Sequence, residues 1–139
     1  MPTAVKKKPI YNIQMISFVK RVRKALDEKT LAIFDAENTI NKTENGSETG
    51  GLYKYTNGKK CIIGSALPDT VISQLKKRGK NSEGLAALLV GNILSAPKEY
   101  HDRLVKLQFA HDSADLTLTR SRFRHLETAV RKKYPNSFK

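Results

Sequence analysis

The stretch Leu52–Asp69 constrains the fold of this chain most, because it contains the strongest strand signal and the single cysteine. Asn57 and Gly58 separate two runs of residues that favour strands. An Asn-Gly dipeptide readily adopts the positive φ angles of a type I′ turn, which connects antiparallel strands. We therefore predict an antiparallel hairpin in which residues 53–56 pair with residues 59–62.

The rest of the chain shows helical periodicity. Apolar residues that recur every three or four positions predict one buried stripe per helix. Helices are expected to begin near Asn12, Pro68, Ser82 and Pro97, and a last helix, capped by Thr117 or Thr119, to end at Arg131. The fold class that follows is a small α+β domain in which four or five helices surround one two-stranded antiparallel hairpin.

Length and composition indicate one domain, because 139 residues suffice to bury a core without cross-links. Residues 1–11 are predicted to form a flexible basic arm and residues 12–139 a single globular domain. Residues 35–51 are rich in turn-forming residues and are predicted to form a polar loop. No apolar run approaches the roughly 18 residues that span a bilayer, so we expect a cytoplasmic location and no membrane partner.

Positive charge is the strongest compositional signal. Lys and Arg number 26 against 13 Asp and Glu, which gives a formal net charge of +13. The cations are concentrated in residues 1–29, 52–80 and 117–139, whereas residues 30–51 and 81–116 are net acidic. Such a field favours a nucleic acid or an acidic host protein as the partner. The alternative is a highly soluble protein whose basic faces contact only water.

A polyanion-binding surface requires the fold to gather these cations on one face. Groups of them lie on the first and last helices, on the predicted hairpin and at the end of the helix that begins near Pro68. The candidate contacts are Lys20, Arg21, Arg23, Lys24, Lys59, Lys60, Lys76, Lys77, Arg78, Arg120, Arg124, Arg131, Lys132 and Lys133.

Cys61 is the candidate nucleophile, because a lone thiol beside a turn reacts if its pKa is lowered and a base lies nearby. His111 and Asp112 are the candidate partners for a thiol-dependent hydrolase or transferase. Adjacent residues on a helix diverge by about 100°, however, so Asp112 is poorly placed to orient the His111 ring. The alternative is a buried thiol that packs as a small apolar side chain.

Cofactor sites are not indicated by residue spacing. The sequence contains neither the HExxH pattern nor the paired cysteines of zinc sites. Gly46, Gly50 and Gly51 lack the Lys-Ser/Thr context of a phosphate-binding loop. A single cysteine also excludes an internal disulfide. We therefore expect no metal and no cofactor.

Two segments of the chain resemble a family of small uncharacterised proteins encoded by phages and bacterial prophages. The segments read Tyr53-(x)7-Cys61-Ile-Ile-Gly64-(x)3-Pro68-Asp69 and Leu107-Gln108-(x)2-His111-Asp112. Ser65 stands where the family often has a second cysteine, which argues against a two-cysteine metal or redox site. The structural motif implied by the resemblance comprises Asn57, Gly58, Cys61, Gly64, Pro68, Asp69, Gln108, His111 and Asp112.

The resemblance implies a non-enzymatic accessory protein for host takeover or anti-defence, acting in the bacterial cytoplasm. Its partner is expected to be a nucleic acid or a host nucleoprotein, held through the basic clusters. In this interpretation Gln108 or His111 satisfies backbone groups of the turn around Gly64, and Cys61 packs beneath that turn. Two alternatives stay open: the thiol-dependent enzyme, and a specific inhibitor whose 35–51 loop and hairpin dock on a host enzyme.

Overall fold

Helices make up most of the chain that the structure, a computed structural model, describes: residues 8–35, 59–80, 84–113 and 115–138. Five α-helices lie in these ranges, namely α1 (Met15–Asp27), α2 (Asp69–Lys77), α3 (Leu85–Val90), α4 (His101–Asp112) and α5 (Leu116–Lys133). Short 3-10 helices occupy Ala32–Asp35, Gly64–Ala66, Lys98–Tyr100 and Pro135–Phe138. The helical part of the prediction therefore agrees with the structure.

The two-stranded sheet is parallel, so the predicted antiparallel hairpin is wrong. Its strands are β1 (Tyr11–Asn12) and β2 (Leu94–Ser95), which come from distant parts of the chain. Ile13 N–H extends the pairing by donating to the carbonyl of Ser95 at 2.7 Å. A sheet of this kind brings the start of the chain against the segment before α4.

The end of the predicted second hairpin strand and the residue that follows it are buried on both sides of the chain. Cys61, Ile62 and Ile63 are consecutive and all fully buried. A strand places successive side chains on opposite faces, and the predicted hairpin required one of those faces to meet solvent. The chain instead turns into the 3-10 helix Gly64–Ala66. Burial of the whole run therefore outweighs the strand propensity of its residues.

Lys60 forms an isolated parallel bridge with Leu31 in place of the predicted hairpin pairing. Ala32 N–H donates to the carbonyl of Lys60 at 2.8 Å. The other predicted strand and its Asn-Gly turn, residues 53–58, lie outside the described residues.

The amphipathic pattern of α1 produces one buried face. Phe18, Val19, Val22 and Leu26 recur at three- and four-residue spacing, and each is at most 1% exposed. Lysines and arginines fill most positions between them, so the opposite face of the helix meets solvent. The basic face and the core face of α1 are thus set by the same periodicity.

One contiguous cluster of buried apolar side chains joins the five helices and the turn at Gly64–Ala66. Phe18, Tyr100 and Phe123 are its largest fully buried rings. α4 and α5 are joined by a short connection and pack along each other. α1 contacts both α5, on one flank, and the Gly64–Ala66 turn, on the other.

The start of α5 differs from the prediction that a threonine caps it. Asp115 is the N-cap residue, and its Oδ1 accepts a hydrogen bond from the backbone N–H of Leu118 at 2.9 Å. Thr119 is buried inside the helix, and its hydroxyl donates to the carbonyl of Asp115 at 2.7 Å. An aspartate satisfies the free amides of a helix start as well as threonine does.

Residues 1–7 of the predicted arm and residues 36–51 of the predicted loop lie outside the described residues. Tyr11, the last residue assigned to the arm, lies in β1. None of the helices in the described ranges is both long enough and apolar enough to cross a bilayer.

Candidate polyanion-binding surface

Cys61 lies in a buried chain of hydrogen bonds that joins the turn to α4. The backbone N–H of Gly64 donates to Cys61 Sγ at 3.2 Å. The thiol donates to Gln108 Oε1 at 3.5 Å, and Gln108 Nε2 donates to Asp112 Oδ1 at 2.7 Å. The structure thus brings four residues of the implied motif together, with the thiol rather than Gln108 satisfying the amide of Gly64.

The environment of Cys61 keeps its thiol protonated. Burial raises the pKa of the thiol to about 12, and the negative charge of Asp112 acts in the same direction. The hydrogen bond from Gly64 N–H lowers the pKa but only partly offsets burial. A reactive cysteine needs the opposite arrangement, an exposed thiol beside a cation. The site therefore has the chemistry of a packed thiol.

His111 lies outside this chain of hydrogen bonds although it is fully buried. Its Nδ1 is 3.7 Å from Asp112 Oδ1, which exceeds the length of a hydrogen bond. Neither ring nitrogen has a hydrogen-bond partner among the residues that the structure describes. Across all the residues that the structure describes, no group of three or more His, Cys, Asp or Glu side chains is arranged to hold a metal ion.

We call residues 61–66 the Cys61 turn. Pro68 and Asp69 join it to α2. Pro68 is the residue before α2, and Asp69 is the first residue of the helix. The helix dipole stabilises a negative charge at this position. Lys60 Nζ lies 2.7 Å from Asp69 Oδ1. One predicted polyanion contact is therefore already paired with a carboxylate of the chain.

The flank of α1 that faces α5 carries cations with partners inside the protein. Arg23 makes a bidentate contact with Glu127, at 2.7 Å and 3.1 Å, and its guanidinium lies 4.9 Å from the centroid of the Phe123 ring. Lys20 and Arg131 both lie over the ring of Phe138, at 5.5 Å and 4.8 Å. These contacts bring the basic residues of α1 and of the end of α5 together.

The other flank of α1 lines a cavity that we call the basic pocket. It has a volume of about 340 Å³, and its lining includes Arg21, Lys24 and Lys60. Arg21 donates to the carbonyl of Ala66 at 3.4 Å, which holds the α1 side of the pocket against the turn. The remaining lining residues are Ala25, Glu28, Thr30 and Ser65.

Three neighbouring cations of α1 form what we call the α1 basic face: Lys20, Arg21 and Lys24. All three are exposed. No carboxylate of the described residues lies within ion-pair distance of them. Glu28, which also lines the basic pocket, pairs with none of them. The α1 basic face is therefore unneutralised within the described structure.

The other candidate contacts are divided between paired and exposed positions. Lys133 Nζ lies 2.7 Å from Glu99 Oε1, and Arg131 lies 3.7 Å from Glu127 Oε2. Arg120 lies 5.6 Å from the centroid of the Phe34 ring. Arg124 and Lys132 are exposed and make no ion pair or ring contact with a described residue. Lys59 is half-buried.

The basic cluster at the end of α2 stands apart from the others. Gly79, with φ of +70°, ends the helix, and Lys80 N–H donates to the carbonyl of Leu75 at 2.8 Å in the pattern of a Schellman cap. Lys76, Lys77 and Arg78 are exposed at this end. Within the described residues, no hydrogen bond, ion pair or ring contact joins the side chains of Lys76, Lys77 or Arg78 to α1 or α5. The contacts of the described residues therefore support the predicted convergence for α1, Lys60 and α5 only.

A second basic cavity was not predicted from the sequence. It has a volume of about 280 Å³ and lies between α4 and α5. We call it the α4–α5 groove, and its lining residues are Asp102, Arg103, Lys106, Arg122 and His125. The two helices contribute separate halves of this cluster, and its α4 half lies in residues 81–116, which are net acidic as a whole. One feature of the sequence could have indicated the groove: Phe109, a large apolar residue, falls on the same helix face as the charged residues of α4.

Comparison of the chain with protein-family models, curated proteins and solved structures gives no significant match. The resemblance to phage-encoded proteins therefore stays a prediction, and the function is argued from the geometry described above.

Proposed function

We propose that this chain is a non-enzymatic binding protein that holds a polyanion, a nucleic acid or a host nucleoprotein, by its phosphate backbone. The proposal rests on one observation: the α1 basic face, Lys20, Arg21 and Lys24, has no described carboxylate within ion-pair distance. Like charges three or four residues apart destabilise a helix slightly. The grouping of three cations on α1 does not help the helix to fold, so we attribute it to the binding of an external anion.

The basic pocket supplies a place for a phosphate beside this face. Arg21 and Lys24 approach it from α1. Lys60, whose charge is paired with Asp69, lines it from just before the Cys61 turn. Arginine presents several N–H donors to a phosphate, whereas lysine acts as a mobile point charge. Because Arg131 lies with Lys20 over the Phe138 ring, the positive surface continues from α1 towards the end of α5. The protein would cover the phosphate backbone of a nucleic acid that is bound along this surface.

Cys61 has a structural role in this proposal. The thiol is buried and protonated, and it holds the turn that carries Lys60 into the basic pocket. We therefore do not propose a thiol-dependent reaction. The expected biological setting, a phage accessory protein that blocks access to a host or phage nucleic acid, follows from the resemblance and from this mode of binding.

The test is a salt titration with two charge-matched double variants. Binding of fluorescently labelled single-stranded and double-stranded oligonucleotides is measured by anisotropy between about 50 and 200 mM salt. Arg21→Gln with Lys24→Gln removes two charges from the α1 basic face. Lys76→Gln with Lys77→Gln removes the same charge from exposed positions on α2 and serves as the control.

The wild-type affinity should fall linearly with salt on logarithmic axes. The α1 double variant should bind roughly tenfold more weakly at low salt and reduce the salt slope by about 2, whereas the α2 variant should change both far less. Absence of binding by the wild-type chain at low salt would overturn the proposal. Equal losses in the two variants would overturn the assignment to α1.

A further inference from the structure

The α4–α5 groove lies beside an exposed aromatic ring. Phe109 is 68% exposed, although phenylalanine is a large apolar side chain. It follows Lys106 by three residues and Asp102 by seven, which places all three on one face of α4. The α4 side of the groove therefore shares a helix face with the exposed ring of Phe109.

Phe109 differs from the other aromatic rings that lie near cations. The rings of Phe34, Phe123 and Phe138 each have an arginine or lysine of the chain over them, at 4.8–5.6 Å. Among the ring contacts of the described residues, none involves Phe109. Its face is therefore open to a ring supplied from outside.

The charge of the groove is positive after its internal pairing is taken into account. Asp102, its acidic residue, already contacts Lys106 at 3.1 Å. Arg103 and Arg122 have no ion pair with a described carboxylate. These two arginines leave the groove with positive charge that no described carboxylate neutralises, and such charge suits an anionic ligand.

We propose that the α4–α5 groove binds single-stranded nucleic acid, with one unpaired base stacked on Phe109 and the adjacent phosphate held by Arg103 and Arg122. This inference rests on the proposed function and specifies the strand class. Cationic grooves with aromatic platforms bind single strands because every base has a face that can stack. A duplex keeps its bases stacked inside and offers Phe109 no such face.

One nucleic-acid strand can contact both the α4–α5 groove and the α1 basic face, because only the width of α5 separates them. Arg131 lies with Lys20 of α1 over the Phe138 ring. Arg122 and His125 line the groove on the side of α5 that faces α4. Arg124 and Lys132 of α5 are exposed. A helix with its side chains is roughly 10–12 Å across, so a short single strand spans this distance.

A tryptophan in place of the exposed phenylalanine tests the stacking directly, since the chain contains no tryptophan of its own. Phe109→Trp is titrated with an oligothymidylate and, separately, with a duplex oligonucleotide, and its fluorescence is recorded. We expect quenching by the single strand and little change with the duplex. Unfolding midpoints check that the exposed substitution leaves the fold intact.

The second variant, Phe109→Leu, keeps the position apolar and removes the ring. Its affinity for the single strand should fall about fivefold or more, with the affinity for the duplex unchanged. If the wild-type chain binds oligonucleotides while Phe109→Leu binds them equally well and the emission of Phe109→Trp is unaltered, the stacking inference fails and the proposed function stands. If the wild-type chain binds no oligonucleotide, both fail.

Discussion

The Cys61 turn and the α1 basic face are both rich in polar groups, yet their polar groups have different partners. In the turn, Gly64 N–H, the Cys61 thiol and Gln108 satisfy one another within the core. On the α1 basic face, Arg21 and Lys24 project beside the basic pocket with no described carboxylate in reach. The first region is complete without a ligand, whereas the second has capacity to bind one.

Whether a polar side chain has a partner inside the protein distinguishes structural residues from binding residues better than the type of residue does. Arg23 and Arg21 are two positions apart on the same helix. Arg23 is held by Glu127 and Phe123, while Arg21 makes a single contact, 3.4 Å long, with a backbone carbonyl. We therefore expect changes in the first kind of residue to alter stability and changes in the second to alter binding.

The largest effect on stability is expected from Cys61→Ala. This substitution leaves a cavity and removes the acceptor for Gly64 N–H and the donor to Gln108, so we expect a loss of about 3 kcal/mol. Cys61→Ser is the matched control, because its hydroxyl can keep both hydrogen bonds, and it should lose about 1 kcal/mol. Urea unfolding of the three proteins measures the difference. Equal losses in the two variants would show that the hydrogen bonds contribute nothing.

Alkaline pH should weaken the fold through the same thiol. The pKa of Cys61 is about 12 in the folded protein and close to its ordinary value in the unfolded chain, so the unfolded state loses the proton first. The contribution is therefore fully present below the unfolded pKa and is lost as pH rises towards the folded pKa. We expect the wild type to lose about 2 kcal/mol relative to Cys61→Ser between about pH 9 and pH 11.

Urea unfolding of the wild type and Cys61→Ser at several pH values isolates this loss, since other groups that titrate in this range are shared. Alkylation of the native thiol should also be much slower than that of the urea-unfolded protein at about pH 8, close to the ordinary pKa of a free thiol. Parallel stability curves, or rapid alkylation of the native protein, would contradict the buried thiol.

A pair of neutralising substitutions on α1 should separate stability from binding. Arg23→Gln leaves Glu127, which is 9% exposed, without its bidentate partner and should destabilise by about 1 kcal/mol, because Arg23 itself is 38% exposed and screened by solvent. Arg21→Gln should change stability by less than about 0.5 kcal/mol. Oligonucleotide affinity should show the reverse order. The same order in both assays would remove the distinction between the two arginines.

The smallest effect is expected from Glu99→Gln. Lys133 and Glu99 lie 2.7 Å apart, but about half of each side chain is exposed, so solvent screens the pair. Thermal unfolding at physiological salt should show no resolvable shift. A clear decrease in the unfolding temperature would mean that this surface pair is part of the structural network rather than of the solvated surface.

The helices were predictable because local pattern determines them. The spacing of Met15, Val19 and Val22 identified α1 and its core face, and Gly79 marked the end of α2. The hairpin was predicted wrongly from equally local evidence. Strand propensity around Cys61 was real, but the burial of three consecutive side chains depends on what packs around them, which local pattern does not contain.

The candidate sites show the same limit. The resemblance implied that Cys61 and Gln108 belong to one motif, but only the packing of the turn against α4 places the thiol where it donates to Gln108. The α4–α5 groove was missed because Lys106 and Arg122 come from separate helices. Charge on one helix is visible along the chain, whereas charge shared between helices is visible only after they pack.

By itself, the sequence determined the helices, the excess of 13 positive charges and the basic character of α1, because each depends on composition or on spacing within one segment. The tertiary structure decided which cations keep a free charge, since pairing with Glu127, Asp69 or Glu99 depends on the distance between groups remote in the chain. It also decided that the cysteine is buried and protonated. Both outcomes follow from the short range of ion pairs, hydrogen bonds and desolvation, which act only between groups that folding brings into contact.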